Sequence, residues 1–216
     1  MTEKFHTELA MLKQDTIKMA HFGRDMLNES ITVLMKEDVT SASKIKQKRK
    51  PLRELTFGLE DRAYQLIALY QPMAKDMRTI VCTLKMIAAA ERIGRYGKDI
   101  ANMAKHVQNQ PDVTHAVLIP QMAEQVTGMI DDAISAYGNE DLALIRNFSS
   151  RDNTVDTLWH SFFREMLLFM RENPATINRC TYYIMVARYL ERSGDHACKM
   201  AENVHFMVTG ERIEIK

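Results

Sequence analysis

Apolar residues recur at steps of three and four along most of the chain, the spacing that gathers them on one face of an α-helix. The clearest stretch covers residues 3–35, where nine small or apolar residues keep a strict four–three alternation. They are Phe5, Leu9, Leu12, Thr16, Met19, Gly23, Met26, Ser30 and Val33. A second helix is predicted over residues 39–70. Pro51 should break or kink it near residues 48–50, because proline removes a backbone hydrogen bond and clashes with the preceding turn.

The remaining pattern predicts four more helical segments, and the second half of the chain repeats the first. One helix follows Pro72 and ends near Gln110. Three more are predicted over residues 117–137, 141–171 and 174–208. Residues 90–104 match residues 190–204 at a shift of 100 positions. We therefore expect an all-α protein of two tandem antiparallel three-helix bundles, a pseudo-twofold six-helix arrangement, with domains at residues 1–110 and 111–216.

Composition narrows the class of protein without naming a function. The 216 residues are 46% hydrophobic, with 8 glycines, 5 prolines and 16 methionines, which favours helices around an adaptable core. A net charge of +1 gives no overall field toward nucleic acid or an anionic membrane. The sequence contains no run of about 18 apolar residues, so it predicts no membrane-spanning helix. Three cysteines make no disulfide framework, which fits a reducing cytoplasm.

Two acidic pairs sit on predicted helix faces in the second half. Glu191 and Asp195 are four residues apart, and so are Asp152 and Asp156 on the preceding helix. Across a helical hairpin the four carboxylates can converge, and a divalent or iron-type metal ion would relieve their repulsion. The alternative is that the acids lie at the rim of the core, solvated or paired with nearby basic residues. Those residues are Arg151, Arg188, Arg192 and Lys199.

The first half reverses the charge of this cluster. Only Glu91 is retained, and arginines occupy the other three matching positions. A metal is therefore expected in the second repeat only. In place of a metal in the first repeat, we hypothesise a salt-bridge network of five residues. The alternative is that the arginines are solvated. The acidic residues in this cluster argue against a bound oxyanion. The five are Arg49, Arg53, Glu91, Arg95 and Asp99.

Other functions have weaker support in the sequence. A ferritin-like di-metal carboxylate enzyme or metal-storage protein is the alternative suggested by Glu-x-x-His at Glu3 and at Glu202. Five basic residues within residues 44–50 could contact phosphates of nucleic acid, but a solvated helical face explains them better, and no nucleic-acid partner is expected. Neither a phosphate-binding glycine loop nor a Gly-x-Ser-x-Gly nucleophile motif is present.

Three segments carry a family resemblance. Residues 190–197, Leu-Glu-Arg-Ser-Gly-Asp-His-Ala, resemble the repeated Leu-Glu-Arg-Ile-Gly-Asp-His-Ala signature of the PhoU phosphate-signalling regulators. Residues 66–78 and 5–13 are also similar to typical PhoU segments. The resemblance spans the chain at the right intervals. It implies tandem three-helix bundles, usually in a homodimer.

The resemblance also implies a function and a site. PhoU proteins are non-catalytic cytoplasmic regulators that dampen phosphate uptake and phosphate-starvation signalling. They reach the inner face of the membrane through partners, the ATPase subunit of the phosphate ABC transporter and, where one exists, a sensor kinase. Their paired acidic motifs bind metal, a role that transfers by position to Asp152, Asp156, Glu191 and Asp195. Lys199, at a position often occupied by Asn, is expected to weaken that site.

Overall fold

The computed structural model describes residues 2–113, 116 and 118–215. Within these residues the chain forms helices and no strands, which confirms the all-α expectation. The α-helices are α1 Glu3–Met35, α2 Val39–Gln47, α3 Arg49–Tyr70, α4 Ala74–Val107, α5 Leu118–Asn139, α6 Phe148–Glu172 and α7 Ile177–Thr209. Two 3-10 turns, Leu142–Ile145 and Pro174–Thr176, precede α6 and α7.

The first helix follows its sequence pattern closely. All nine residues of the four–three alternation are buried, and the helix begins and ends where the pattern predicts. Its start is capped by Thr2, whose hydroxyl accepts a hydrogen bond from the Phe5 amide at 3.3 Å. This cap satisfies one of the amide groups that a helix start leaves without a partner. The local sequence and the tertiary packing therefore agree over the whole length of α1.

The break expected near Pro51 is also present. Helix α2 ends at Gln47 and α3 begins at Arg49, with Lys48 in a turn between them. Pro51 consequently lies in the first turn of α3, where a missing amide hydrogen removes no intrahelical hydrogen bond. The chain thus bends at this point without losing the helical pairing that a proline in mid-helix would break.

Other predicted boundaries need small corrections. Helix α4 ends at Val107, a few residues before Gln110. The helix predicted from Asp141 begins only at Phe148, because the Asp141 carboxylate accepts a hydrogen bond from the Ala143 amide at 2.9 Å and caps a separate 3-10 turn. The last helix likewise begins after the 3-10 turn at Pro174–Thr176. Residue 117, the predicted start of the fourth helix, lies outside the described residues.

The helices pack as two antiparallel bundles that share one core. Helices α1 to α4 form the first bundle and α5 to α7 the second, while α4 packs on α7 and α1 packs on α5. Polar contacts cross this junction as well. The Tyr137 and Thr83 hydroxyls are hydrogen-bonded at 2.6 Å, and the Arg24 guanidinium lies 2.9 Å from the Asp131 carboxylate. The two bundles are therefore joined by both apolar packing and fixed polar pairs.

A buried arginine ties three separate segments at one end of the molecule. Only 8% of the Arg179 side chain is exposed. Its guanidinium donates to the Gln110 carbonyl at 2.8 Å and to the Tyr183 hydroxyl at 3.1 Å, and it also pairs with the Glu37 carboxylate. These partners lie after α1, after α4 and within α7. Because each contact is charge-assisted, Arg179 holds the turn after α1 against the start of α7.

Two remaining sequence expectations concern membranes and cysteines. Among the described residues, no helix combines the length and the apolar character needed to cross a membrane. Cys82, Cys180 and Cys198 are all buried free thiols. The three thiols therefore pack in the core as free cysteines, and the Cys180 thiol also donates a weak hydrogen bond to the Thr176 hydroxyl at 3.7 Å.

Candidate functional site

The four–three pattern through Asp152, Asp156, Trp159 and Phe163 predicts that this side of α6 faces the core, but the structure packs a neighbouring side. Phe148, Val155, Phe162 and Met166 are buried, whereas Phe163, which the sequence pattern placed in the seam, is 38% exposed. Two overlapping apolar stripes run along α6, and the stripe that contains Val155 and Phe162 packs against the core. Asp152 and Asp156 consequently lie half-buried at the edge of the packed face.

On α7, Glu191 lies in the packed face and Asp195 lies beside it. Glu191 is buried and accepts a hydrogen bond from the Arg188 guanidinium at 2.5 Å, while its second oxygen, Oε2, has no hydrogen-bond partner among the described residues. Burial raises the pKa of Glu191, and the charge of Asp195 adds to the effect. Asp195 is paired with Arg192 at 3.0 Å.

The four acids share one electrostatic neighbourhood. Burial raises the pKa of Asp152, and the nearby charges of Asp156 and Asp195 raise it further, while a hydrogen bond from the Cys198 thiol lowers it. Asp156 also raises the pKa of Glu191. The helices approach closely here, since a Cβ atom on Gly194 would lie 3.7 Å from a Val155 methyl carbon. Asp152 therefore lies beside the turn of α7 that carries Glu191 and Asp195, since its carboxylate oxygen is 3.9 Å from the position a Gly194 Cβ would take.

Convergence does not amount to a coordination sphere. In the part of the chain that the structure describes, no group of three or more His, Cys, Asp or Glu side chains is arranged to hold a metal ion. Arg188 and Arg192 occupy oxygens of Glu191 and Asp195 that a metal would need. As the side chains stand, the four residues do not fit a metal, and the metal in the second repeat stays a prediction.

Arg151 and Lys199, the other two basic residues near the four acids in sequence, pair with acids outside that cluster. Arg151 pairs with Asp132 at 2.5 Å, and Lys199 pairs with Glu202 at 2.8 Å. The pairing of Glu202 also bears on the ferritin-like alternative, because a metal-binding glutamate there would have to give up this lysine. The arrangement gives that alternative no support.

The five-residue network expected in the first repeat forms only in part. Arg49 and Glu91 make an ion pair at 2.8 Å. Arg53 lies over the Phe57 ring, 5.2 Å from its centroid, and Arg95 has no ion pair within the described ranges. Asp99 pairs with its neighbour Lys98 at 2.5 Å, not with an arginine. Burial raises the pKa of Tyr189 on α7, and the charge of Asp99 raises it further, so Asp99 lies close enough to α7 to act on it.

A groove between α3, α4 and α7 is the feature that sequence reasoning missed. Its volume is about 600 Å³, within the range of small-molecule sites. We define the basic groove by its five cationic residues, which are Arg49, Arg53, Lys85, Arg92 and Lys199. Two acids, Glu60 and Glu91, also line it. No local sequence motif predicts this groove, because it forms where α4 packs on α7 and brings Lys85 close to Lys199, more than a hundred positions away in sequence.

The fold and the site together define an all-helical protein of two tandem three-helix repeats whose polar clusters carry opposite charge. The family model described as the PhoU domain matches this chain twice, at residues 16–104 and 119–204. The chain belongs to the PhoU family, which confirms the resemblance seen in its sequence.

Individual relatives are similar over more than nine-tenths of their length. The chain is 35% identical over 213 residues to a "Phosphate-specific transport system accessory protein PhoU homolog" from Caulobacter vibrioides, covering 98% of this chain and 92% of the relative. A protein of the same name from Clostridium acetobutylicum is 29% identical over 217 residues, covering 100% of this chain and 99% of the relative.

Solved structures show the same fold. The crystal structure of PhoU from Pseudomonas aeruginosa superimposes with a TM-score of 0.91 at 26% identity, covering 96% of this chain and 100% of that one. The crystal structure of the phosphate transport system regulatory protein PhoU from Streptococcus pneumoniae gives 0.89 at 21% identity, covering 97% and 99%. At that lower identity the likeness concerns the fold alone.

Proposed function

We propose that this chain is a non-catalytic regulator of phosphate transport, an accessory protein of a phosphate-specific transport system. One observation carries the proposal, the end-to-end similarity to the Caulobacter relative of that name, at 35% identity. The fold adds to it, because this chain and the Pseudomonas structure cover each other almost completely.

The finer proposal concerns partners. We infer that the chain acts in the cytoplasm as an adaptor on the ATPase subunit of a phosphate ABC transporter and on a sensor kinase where one exists, and that it forms a homodimer. Exposed large apolar side chains support adaptor surfaces of this kind, since such patches mark sites of protein association. On α3, Leu55 and Leu69 lie on one side of the helix and Phe57 and Tyr64 on another, and on α6 the exposed side chains are Phe163, Leu167 and Leu168.

The proposed role can be tested in the source organism and with purified proteins. Deleting the gene should raise phosphate uptake in phosphate-rich medium if the protein dampens transport. The purified chain should bind the transporter ATPase, with an affinity that differs between low and high phosphate. Unchanged uptake together with no binding at either phosphate level would refute the proposal.

Variants of α3 test whether that face contacts the ATPase. Leu55→Asp with Leu69→Asp places two charges on the exposed apolar face and should abolish or strongly weaken binding. Ile177→Asp with Ile213→Asp is the matched control, because it adds the same two charges at exposed apolar positions, 46% and 40% exposed, that lie outside α3. Equal binding by both variants would exclude α3 as the docking face while leaving the regulatory role open to the uptake assay.

A further inference from the structure

The charge balance of the basic groove is positive even after its internal ion pairs are counted. Arg49 is paired with Glu91, and Lys199 is paired with Glu202 outside the groove. Once these two pairs are set aside, the groove is lined by three cationic side chains and one acidic side chain. Arg53, Lys85 and Arg92 have no ion pair within the described ranges, and the remaining acid is Glu60. Unpaired like charges repel one another, so an anion in the groove would stabilise the arrangement.

One hydrogen-bond donor in the groove is both buried and unused. Nη1 of Arg49 has no hydrogen-bond partner among the described residues, although Nη2 of the same guanidinium contacts Glu91 at 2.8 Å. A buried donor without a partner costs about 1–3 kcal/mol, more when it is charged. The Arg49 side chain is 29% exposed overall, so a small rotation of its guanidinium would turn this nitrogen toward the groove. Its planar nitrogens match the spacing of phosphate oxygens.

The positive surface continues beyond the groove. Arg49 and Arg53 also line an adjoining surface depression that includes Lys46 and Lys50. The exposed Phe57 ring lies at the groove wall under the Arg53 guanidinium. The groove therefore offers several cations in a row with an apolar wall, and its volume exceeds what one phosphate group would fill.

We propose that the basic groove binds a small phosphate-bearing anion. Arg49 and Arg92 would contact phosphate oxygens through their guanidinium edges, and Lys85 would supply a compact charge nearby. From the sequence alone, the acidic members of the cluster argue against an oxyanion here, but Glu91 is already paired with Arg49 and would hold it in place without repelling the ligand. This site goes beyond the regulatory role proposed above and does not depend on it. Its chemistry suits inorganic phosphate, a polyphosphate or a nucleotide.

Binding can be measured directly on the full chain. Inorganic phosphate, tripolyphosphate and ATP are titrated separately by calorimetry, at constant ionic strength in chloride. We expect saturable binding of at least one of the three. The test variant is Lys85→Gln with Arg92→Gln, which removes two exposed charges that have no internal partner. Losing two charge-assisted contacts should weaken binding by about tenfold or more.

A second variant separates this site from general charge effects. Arg164→Gln with Arg171→Gln makes the same change in net charge on exposed positions of α6, and should bind as the unaltered chain does. Circular dichroism and the melting temperature show whether each variant is folded. The probe that binds identifies the ligand as free phosphate, a polyphosphate or a nucleotide. The proposal is overturned if none of the three binds, if both variants weaken binding equally, or if the Lys85→Gln, Arg92→Gln variant binds as the unaltered chain does.

Discussion

The close approach of α1 and α4 makes a sharp prediction about Gly97. A Cβ atom added there would lie 2.6 Å from the amide nitrogen of Leu27 and 2.6 Å from both carbonyl atoms of Met26. All three are backbone atoms of α1, so rotating a side chain cannot relieve the overlap. Gly97→Ala should therefore force the two helices apart along part of their interface.

The size of the effect follows from two opposing contributions. Overpacking a core costs about 1–3 kcal/mol, and contact with backbone on the facing helix places this case near 3 kcal/mol. Replacing glycine by alanine inside a helix returns about 1 kcal/mol through helix propensity. The net loss in the free energy of unfolding should be about 2 kcal/mol. For a chain of this length that lowers the melting temperature by roughly 4–8 °C.

Gly58 supplies a matched control on α3. Apart from its chain neighbours and the backbone of its own helix, no atom of the described residues lies within 4 Å of the position its Cβ would take. Gly58→Ala should gain the helix-propensity contribution alone, about 1 kcal/mol, and raise the melting temperature. Urea unfolding followed by circular dichroism gives both free energies. If Gly97→Ala proves as stable as Gly58→Ala, the close backbone contact between α1 and α4 is wrong.

Three further substitutions test polar groups. Tyr137→Phe should cost about 1 kcal/mol in urea unfolding, because it removes the buried hydrogen bond to Thr83; no change would contradict a native hydrogen bond there. Arg179→Met should cost about 2–3 kcal/mol by the same assay, since it breaks charge-assisted contacts and leaves Glu37 without its cation. Asp152→Asn should stabilise the chain near pH 7. Burial raises the folded-state pKa of Asp152, so the natural chain loses stability as pH rises through that pKa and the variant does not. The advantage should shrink as unfolding is measured at progressively lower pH, and a variant that is less stable at pH 7 would refute this reasoning.

Regular helical patterns made much of the fold predictable from sequence. In α1 the nine alternating residues are all buried, because one long unbroken helix keeps a single face on the core. Pro51 marked the boundary between α2 and α3 because its effect on helical hydrogen bonds is local. Helix ends were less predictable where a side chain caps an extra turn, as Asp141 does before α6.

The polar clusters were less predictable, because their geometry depends on how helices rotate against each other. On α6 two adjacent stripes were both plausible, and burial of Phe162 in place of Phe163 moved the acids toward the edge. Asp99 lies on the same helix as Glu91 but pairs with its neighbour Lys98 and not with an arginine. The basic groove needed the packing of α4 on α7, which no spacing along the chain encodes.

The continuous core has a consequence for how such proteins can change. Since α1 packs on α5 and α4 packs on α7, each half has a largely apolar surface whose shape fits the surface of the other half. Exchanging one half for that of a distant relative would bring together surfaces that never adapted to each other. Functional hybrids of this architecture should therefore require compensating changes along the junction, however well each half is formed internally.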